Sequence, residues 1–527
     1  MPRFSKVDPT PEEGPETNGT NGTTNGTTNG VEHAVPDEHT RLLPNRLDSD
    51  RGLLAPDDPA VSPYNLWSIR FMSYLTVLFT FMSLTWWILI LVSSFATPPG
   101  FQTRGSGFLA FGYATLTLAN MLMTLLFFSV PAKPVRVLAV FMSAILVLDM
   151  VLVLSVQKTR YEEGWVGAVS VIWALLMSLW ALLTDHLVKW GKAEEEERLT
   201  GRAETRRTLL EWTSVMVSTV GYAIMSAALF VMTLNIILRA LDAAVPPPGK
   251  LHWVDSNKYR VHVYCNGNKS DTVPTVLFEG DASTVEYEFW NFADNAVKNG
   301  SFPRYCLVDR PGYGWSDTAP SPASAGFVVD AVSEALAKAG EKGPWVLASG
   351  GIGTIYSRVF SSRHGEAVKG LVLIDPLHED LLGNVGSPGR GFMLWLRGVI
   401  SPLGLERIPG AVFRGRTSRD RVYGRAAWQG GKYILAQLQE NLVARSFTRR
   451  DVDGSRGIQD KNTALVIISS GKHNKKSGLW ERKQRDLTKL TKNLRHWDIV
   501  DDAPHEVWST FEGREKIEQR LKQLVHA

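Results

Sequence analysis

The sequence predicts a multipass α-helical membrane bundle of five helices, followed by a mostly parallel α/β sheet domain with a helical lid. Three observations carry this. Five windows of about twenty or more mostly apolar residues lie between 71 and 238, each long enough to cross ~30 Å of hydrocarbon. After Pro246-Pro247-Pro248 the pattern changes to short apolar runs alternating with amphipathic helices, the mark of a mostly parallel sheet. The mean hydropathy of −0.07 is therefore an average of very polar and very apolar stretches. The expected organisation is a cytosolic tail over 1–63, a membrane domain over 64–240, a Pro-rich linker over 241–250, and the sheet domain over 251–527 with its lid at 384–460.

Composition narrows the function. Lys and Arg number 57 against 53 Asp and Glu, a net charge of +4 over 527 residues. With no basic run interleaved with aromatics, nucleic acid is not an expected partner. Two cysteines exclude a disulfide scaffold and a Cys-rich metal site, and no cofactor is expected. Seventeen Trp suit a chain that meets membrane–water boundaries.

The amino-terminal tail is rich in Pro, Glu, Asn, Gly and Thr and contains an Asn-Gly-Thr repeat. Such a segment cannot bury enough apolar area to offset its ordering entropy. No charged and then apolar stretch at Met1 suggests a cleaved signal peptide. Sequons open at Asn18, Asn21 and Asn25 but are expected to stay bare on a cytosolic tail. Glu38, three spacers, then Leu42 and Leu43 resemble an acidic dileucine sorting signal. The resemblance implies a sorting adaptor as partner and a route to endosomes, lysosomes or the vacuole.

The five windows are 71–95, 108–130, 137–156, 166–188 and 213–238. Trp67, Trp165, Trp190 and Trp212 stand at their ends, as an aromatic belt requires. Ten Lys and Arg flank one side of the bundle against four on the other. The richer side is expected in the cytosol, with the amino terminus, and the sheet domain in the lumen of an endomembrane compartment. The sequons at Asn268 and Asn299 then fall on the glycosylated side. Asp149 lies inside the third window, and Asp185 with His186 near the end of the fourth. A carboxyl at that depth is costly and points to proton or ion binding, or to a hydroxyl partner within the bundle. A transporter is the weakest of the readings this leaves. The stretch 189–212 reads as a solvated helical or flexible connector.

In the second half, strands are expected at 252–254, 259–264, 275–279, 305–309, 345–348, 370–374, 464–469 and 497–500, with helices at 285–298, 325–339, 354–363, 479–491 and 512–524. Residues 305–317, YCLVDRPGYGWSD, resemble the D-R-x-G-x-G-x-S-D turn of the α/β-hydrolase family. Residues 343–375 are similar to that family's nucleophile strand, the helix after it and the next strand. The resemblance implies an α/β-hydrolase-like fold over about 251–527. It also implies a Gly-x-Ser-x-Gly bend that presents a nucleophilic serine. Relatives place that serine seven residues after the Pro that opens the strand and twenty-four before the Asp that ends the next one. From Pro344 and from Asp375, both counts meet at 351, which is glycine. Without a side chain, Gly351 cannot attack an acyl carbon.

The other parts implied by the resemblance are mixed. His505 matches the general base by position. Asp375, Glu379 or Asp380 is the candidate to orient it, because the turn after the seventh strand holds no carboxylate. At the oxyanion position the chain reads Glu279-Gly280-Asp281, where carboxylates would oppose a developing negative charge. Ser349 is the possible rescue nucleophile, though it sits within the strand and short of the bend. The family's strand order makes Cys265 and Cys306 neighbours; two buried free thiols are expected over a disulfide. The lid holds 13 basic against 6 acidic residues. Arg414, Arg416, Arg419, Arg421 and Arg425, with an apolar surface from Phe392 to Ile400, suit membrane lipid or a hydrophobic or acyl ligand. The leading expectation is a catalytically degenerate domain that binds, scaffolds or senses a ligand. The alternative is an active ester or lipid hydrolase using Ser349 or a His505-activated water.

Overall fold

A computed structural model describes residues 62–201 and 207–527. The sorting motif at Glu38, Leu42 and Leu43 and the sequons at Asn18, Asn21 and Asn25 lie outside the described residues. Five long apolar helices come first: α1 (Trp67–Ser93), α2 (Phe108–Leu126), α3 (Lys133–Ser155), α4 (Gln157–Thr200) and α5 (Leu209–Asp242). Large apolar side chains such as Phe81, Leu210, Met216 and Ile224 point outward and exposed along them. That is the surface a bilayer covers, because a helix with apolar residues all round must be buried in something. Inside the bundle, Asp149 Oδ2 accepts the Tyr113 hydroxyl at 2.9 Å, while Asp185 pairs with Arg136.

Helices α4 and α5 outrun their apolar windows at both ends because the backbone ladder continues into polar turns, whereas α2 stops at Leu126, short of the end of its window. The start of α4 breaks at Gly164, with φ of +60°. Its end carries helix well into the charged stretch that reads as a connector, where Glu195 is buried and accepts from Asn65 and Arg198.

The sheet has eight strands: β1 (Lys250–Val254), β2 (Tyr259–Gly267), β3 (Thr275–Glu279), β4 (Arg304–Val308), β5 (Trp345–Gly350), β6 (Val368–Ile374), β7 (Ala464–Ser470) and β8 (Leu494–Val500). They lie in the order β1-β2-β4-β3-β5-β6-β7-β8. The two pairings of β2 are antiparallel and the rest parallel. Each of β3 to β7 is buried almost throughout, which explains their mostly apolar runs. Helices α6 (Asn291–Lys298), α7 (Ala325–Lys338) and α8 (Gly353–His364) connect the early strands. Between β6 and β7 runs the lid: α9 (Leu382–Val385), α10 (Pro388–Ile400), α11 (Arg407–Phe413), α12 (Ser418–Val422), α13 (Gly431–Val443) and α14 (Arg449–Ile458). After β7 come α15 (Gly471–Lys476), α16 (Gly478–Leu487) and, past β8, α17 (Phe511–Val525).

Cys265 and Cys306 correct the expectation of free thiols. They stand opposite one another in the antiparallel β2–β4 register, with Cα atoms 4.1 Å apart, and form a disulfide. Strand order alone makes them neighbours; only the register makes them partners.

The described residues form one compact unit, in which the bundle meets the sheet domain through the 95–105 segment, where Thr97 N–H donates to Ser321 O and Thr318 N–H to Arg104 O, and through the lid. Phe108 of α2 packs among Leu394, Ile434, Leu435 and Leu438. Asp242, at the end of α5, accepts from Arg407 and Arg421 at 2.6 Å each. Arg421 is therefore buried and paired, not part of a free basic surface. Arg414, Arg419 and Arg425 remain exposed.

Candidate functional site

The bend between β5 and α8 falls at Gly351, whose φ of +45° is left-handed, a backbone state in which a Cβ meets steric strain and glycine does not. Position 351 is thus the elbow that the spacing indicates. Its N–H donates to Ile374 O at 3.1 Å, and its carbonyl accepts Leu377 N–H at 3.1 Å.

The space where a nucleophile would stand is occupied. A Cβ built on Gly351 would lie 1.8 Å from Asp281 Oδ1. That carboxylate, from the loop after β3, accepts the Ile352 N–H at 2.8 Å and contacts His505 Nε2 at 3.1 Å. The Asp281 N–H in turn donates to Glu288 Oε2 at 2.6 Å. In this fold the amide after the nucleophile and one from the loop after β3 form the oxyanion hole. Here both amides already serve carboxylates of the same chain.

His505, on the loop after β8, is held from its other side by Asp375 Oδ2 at 2.6 Å. With a carboxylate at each nitrogen, both nitrogens donate and the ring is an imidazolium. Burial opposes that charge, but the hydrogen bonds and charges of Asp281 and Asp375 outweigh it and raise the ring to about 10. Burial likewise opposes the ionised Asp281, and the His505 contact outweighs it, holding the carboxyl below its usual range. Asp375 behaves the same way against burial, through His473, His505 and Trp480.

Asp375 ends β6 and is fully satisfied. Besides His505 it accepts His473 Nδ1 at 2.9 Å, Trp480 Nε1 at 2.9 Å and Ser470 N–H at 3.2 Å. Of the three candidate acids it is the one that reaches His505. Glu379 pairs with Arg358 at 2.8 Å and Arg456 at 2.5 Å. Asp380 pairs with Lys483 at 2.6 Å and Arg449 at 2.8 Å.

Ser349 lies inside β5, fully buried, between Glu279 and Leu373 of the adjacent strands. Its hydroxyl has no hydrogen-bond partner among the described residues. Glu279 is buried beside Arg310, 3.8 Å away. Burial lifts its carboxyl to about 7, with Arg310 opposing the rise. Burial and the neighbouring Asp281 charge lift Glu288 to about 8, against the amides it accepts.

Residues that sequence reasoning missed close the site from above. Arg310 donates to Gly280 O at 2.5 Å and Asp281 O at 2.6 Å. Its guanidinium stands 4.7 and 4.6 Å from the Tyr313 and Tyr356 rings, and both hydroxyls donate to Glu440 of α13. About 10 Å³ stays open among them, scarcely room for one water. His473 also went unrecognised. Its signal was a histidine in the basic turn after β7, where relatives keep the acid.

Among the described residues three clusters bring donor atoms close together: Cys265 and Cys306 with Glu341, whose thiols are spent in the disulfide, Asp375 with His473 and His505, and the buried His262 with Glu286 and Asp309. In the Asp375 cluster, the donors already hydrogen-bond one another. In the His262 cluster, His262 Nδ1 lies 3.0 Å from Asp309 Oδ2 and 3.3 Å from Glu286 Oε1. Burial opposes its charge, but both carboxylates outweigh that and raise it to about 10.

The sequons occupy accessible positions. Asn268 is exposed just after β2, and Asn299 is exposed at the end of α6.

Strand order, the left-handed elbow, the histidine after the last strand and its acid together define an α/β-hydrolase-like domain carried on five apolar helices. Some solved structures are similar to the sheet domain. A deep-sea metagenomic α/β hydrolase has 11% identity and a TM-score of 0.40, covering 53% of this chain and 98% of its own. An esterase from Exiguobacterium antarcticum has 17% identity and a TM-score of 0.37, covering 53% and 100%. An uncharacterized protein of Schizosaccharomyces pombe is 34% identical over 523 residues, 93% of this chain and 97% of the relative. The chain belongs to the family of that protein. Residues 38–265 of the chain match a family model described as a region of unknown function, DUF2417. An uncharacterized vacuolar membrane protein of Saccharomyces cerevisiae is 28% identical over 386 residues, 61% of this chain and 59% of the relative.

Proposed function

We propose that the protein is an integral membrane protein of the vacuole whose sheet domain faces the lumen and works by binding or scaffolding, not by hydrolysis. One observation carries the catalytic part of this reading. The Asp281 carboxylate fills the space of the missing nucleophile, takes the Ile352 amide and holds protonated the histidine that would act as base. An attacking water at His505 would require a neutral nitrogen free to accept a proton. Asp281 and Asp375 occupy both nitrogens, and the Ser349 hydroxyl hydrogen-bonds to no base among the described residues.

Location draws support from the vacuolar relative in budding yeast. The lumenal face draws support from the Lys and Arg asymmetry and from the Cys265–Cys306 disulfide, a bond that persists in oxidising compartments. Exposed Phe392, Val412 and Phe413, with Arg414 and Arg419 nearby in the lid, suit contact with membrane lipid beside the bundle.

A fluorophosphonate probe, which labels activated serines, tests the reading on the intact protein in detergent. No labelling of the wild type is expected. Labelling that disappears in Ser349→Ala reverses the conclusion and restores the hydrolase.

A further inference from the structure

A polar cavity of about 100 Å³ lies between the helix bundle, the Gly312–Gly314 turn and the lid. That is several times the ~10–15 Å³ that a single water needs. Its walls carry more positive charge than they can pair internally. Arg239 holds Glu162 and Glu163 at 2.7 Å each, and Asp242 holds Arg407 and Arg421. Three arginines thus meet three carboxylates and cancel them. Two lysines are left over. Among the described residues Lys432 donates only to the Gly314 carbonyl, at 3.0 Å. Lys158 makes no hydrogen bond or ion pair among the described residues, although it is partly buried at the cavity wall.

The backbone adds to this. The first turn of α13 enters the cavity at Gly431, Lys432 and Tyr433, and its N-cap, Gly430, offers no side chain to those amides. Unsatisfied first-turn amides attract anions. A close approach of Ser106 and Ser401 to Gly431 leaves room only for hydrogen at that Cα, so hydroxyls and amides share the same wall.

We infer that this cavity is a binding site for a phosphate dianion, held by Lys158 and Lys432 over the α13 amino terminus. Two surplus ammonium groups match a doubly charged phosphate, which lysine binds as a point charge. The site joins α4 and α5 to the lid, so an occupied cavity ties the bundle to the sheet domain. It lies apart from the elbow and does not depend on whether the elbow is active. The phosphate is either free in the lumen or the headgroup of a bilayer lipid.

The test uses the full chain in nanodiscs of phosphatidylcholine. Inorganic phosphate is titrated at constant ionic strength set with sodium chloride, and the thermal midpoint is followed. A second set of nanodiscs carries added phosphatidate without free phosphate. A saturable rise with inorganic phosphate identifies the free ion, and a rise with phosphatidate alone identifies the headgroup. In either case Lys158→Met and Lys432→Met should each weaken the response at least tenfold. The exposed Lys369→Met should not, and Lys158→Arg should retain it. Absence of a wild-type response in both arms overturns the proposal, as does a response that survives both methionine variants unchanged.

Discussion

Restoring the serine is the sharpest perturbation available, because the structure says it cannot succeed alone. In Gly351→Ser the new Cβ would come within 1.8 Å of Asp281 Oδ1 and 2.2 Å of its Cγ, so the carboxylate must swing away. Doing so surrenders the 2.8 Å bond from Ile352 N–H and the 3.1 Å contact with His505. Hydrogen bonds involving charged groups contribute about 1.5–3 kcal/mol each. A side chain at φ +45° adds roughly 1–2 kcal/mol of backbone strain. The single variant should therefore lose about 4 kcal/mol or more and label poorly with a fluorophosphonate. The double variant Gly351→Ser/Asp281→Ala removes the clash and frees both the Ile352 amide and His505 Nε2. It should recover part of the stability and label far more strongly than the single variant. Thermal melts in detergent and in-gel fluorescence read both quantities. A single variant that melts like the wild type and labels as fast as the double variant would refute the idea that Asp281 blocks the elbow.

Four further outcomes follow from particular contacts. The stabilisation that His505 draws from Asp281 and Asp375 should be full below about pH 6.5, the ordinary histidine value, and lost as pH rises through about 10. The lowered carboxylates keep their share until pH falls below the ordinary carboxylate range. A melting difference between wild type and His505→Asn that is equal at pH 6 and pH 9.5 counts against the clamped imidazolium. Removing the disulfide with Cys306→Ser, which opens a closure spanning 41 residues, should cost about 4 kcal/mol by the loop-entropy relation; in the wild type, alkylation should find no free thiol before reduction and both cysteines after it. Asp242→Asn strands Arg407 and Arg421, both buried, and should cost about 3–5 kcal/mol, with faster proteolysis within 384–460. Glycosidase treatment should lower the apparent mass through Asn268 or Asn299, and an unchanged mass would argue against a lumenal domain.

The amino-acid order alone determined the five apolar spans, the eight strands and the elbow's position. These are written in local period and spacing: twenty-residue apolar windows, buried apolar runs, and two counts that converge on 351. It also determined that no serine attack can start at Gly351, since no tertiary contact supplies a missing side chain. Helix ends were less legible, because the hydrogen-bond ladder of α4 runs past its apolar window until the chain leaves the helix at Gly201.

Only the tertiary structure decided what stands beside Gly351. Asp281 reaches Gly351 from 70 positions away, and its charge looked merely hostile to an oxyanion until the fold placed it inside the vacant space. The choice among Asp375, Glu379 and Asp380 was likewise settled by which carboxyl the end of β6 aims at His505, and which two the neighbouring Arg and Lys side chains claim. The disulfide depended on strand register, in which a one-residue slip turns facing side chains away from each other. Spacing along a chain records helices, strands and bends, whereas pairing between distant charges exists only after packing has brought them together and removed the water between them.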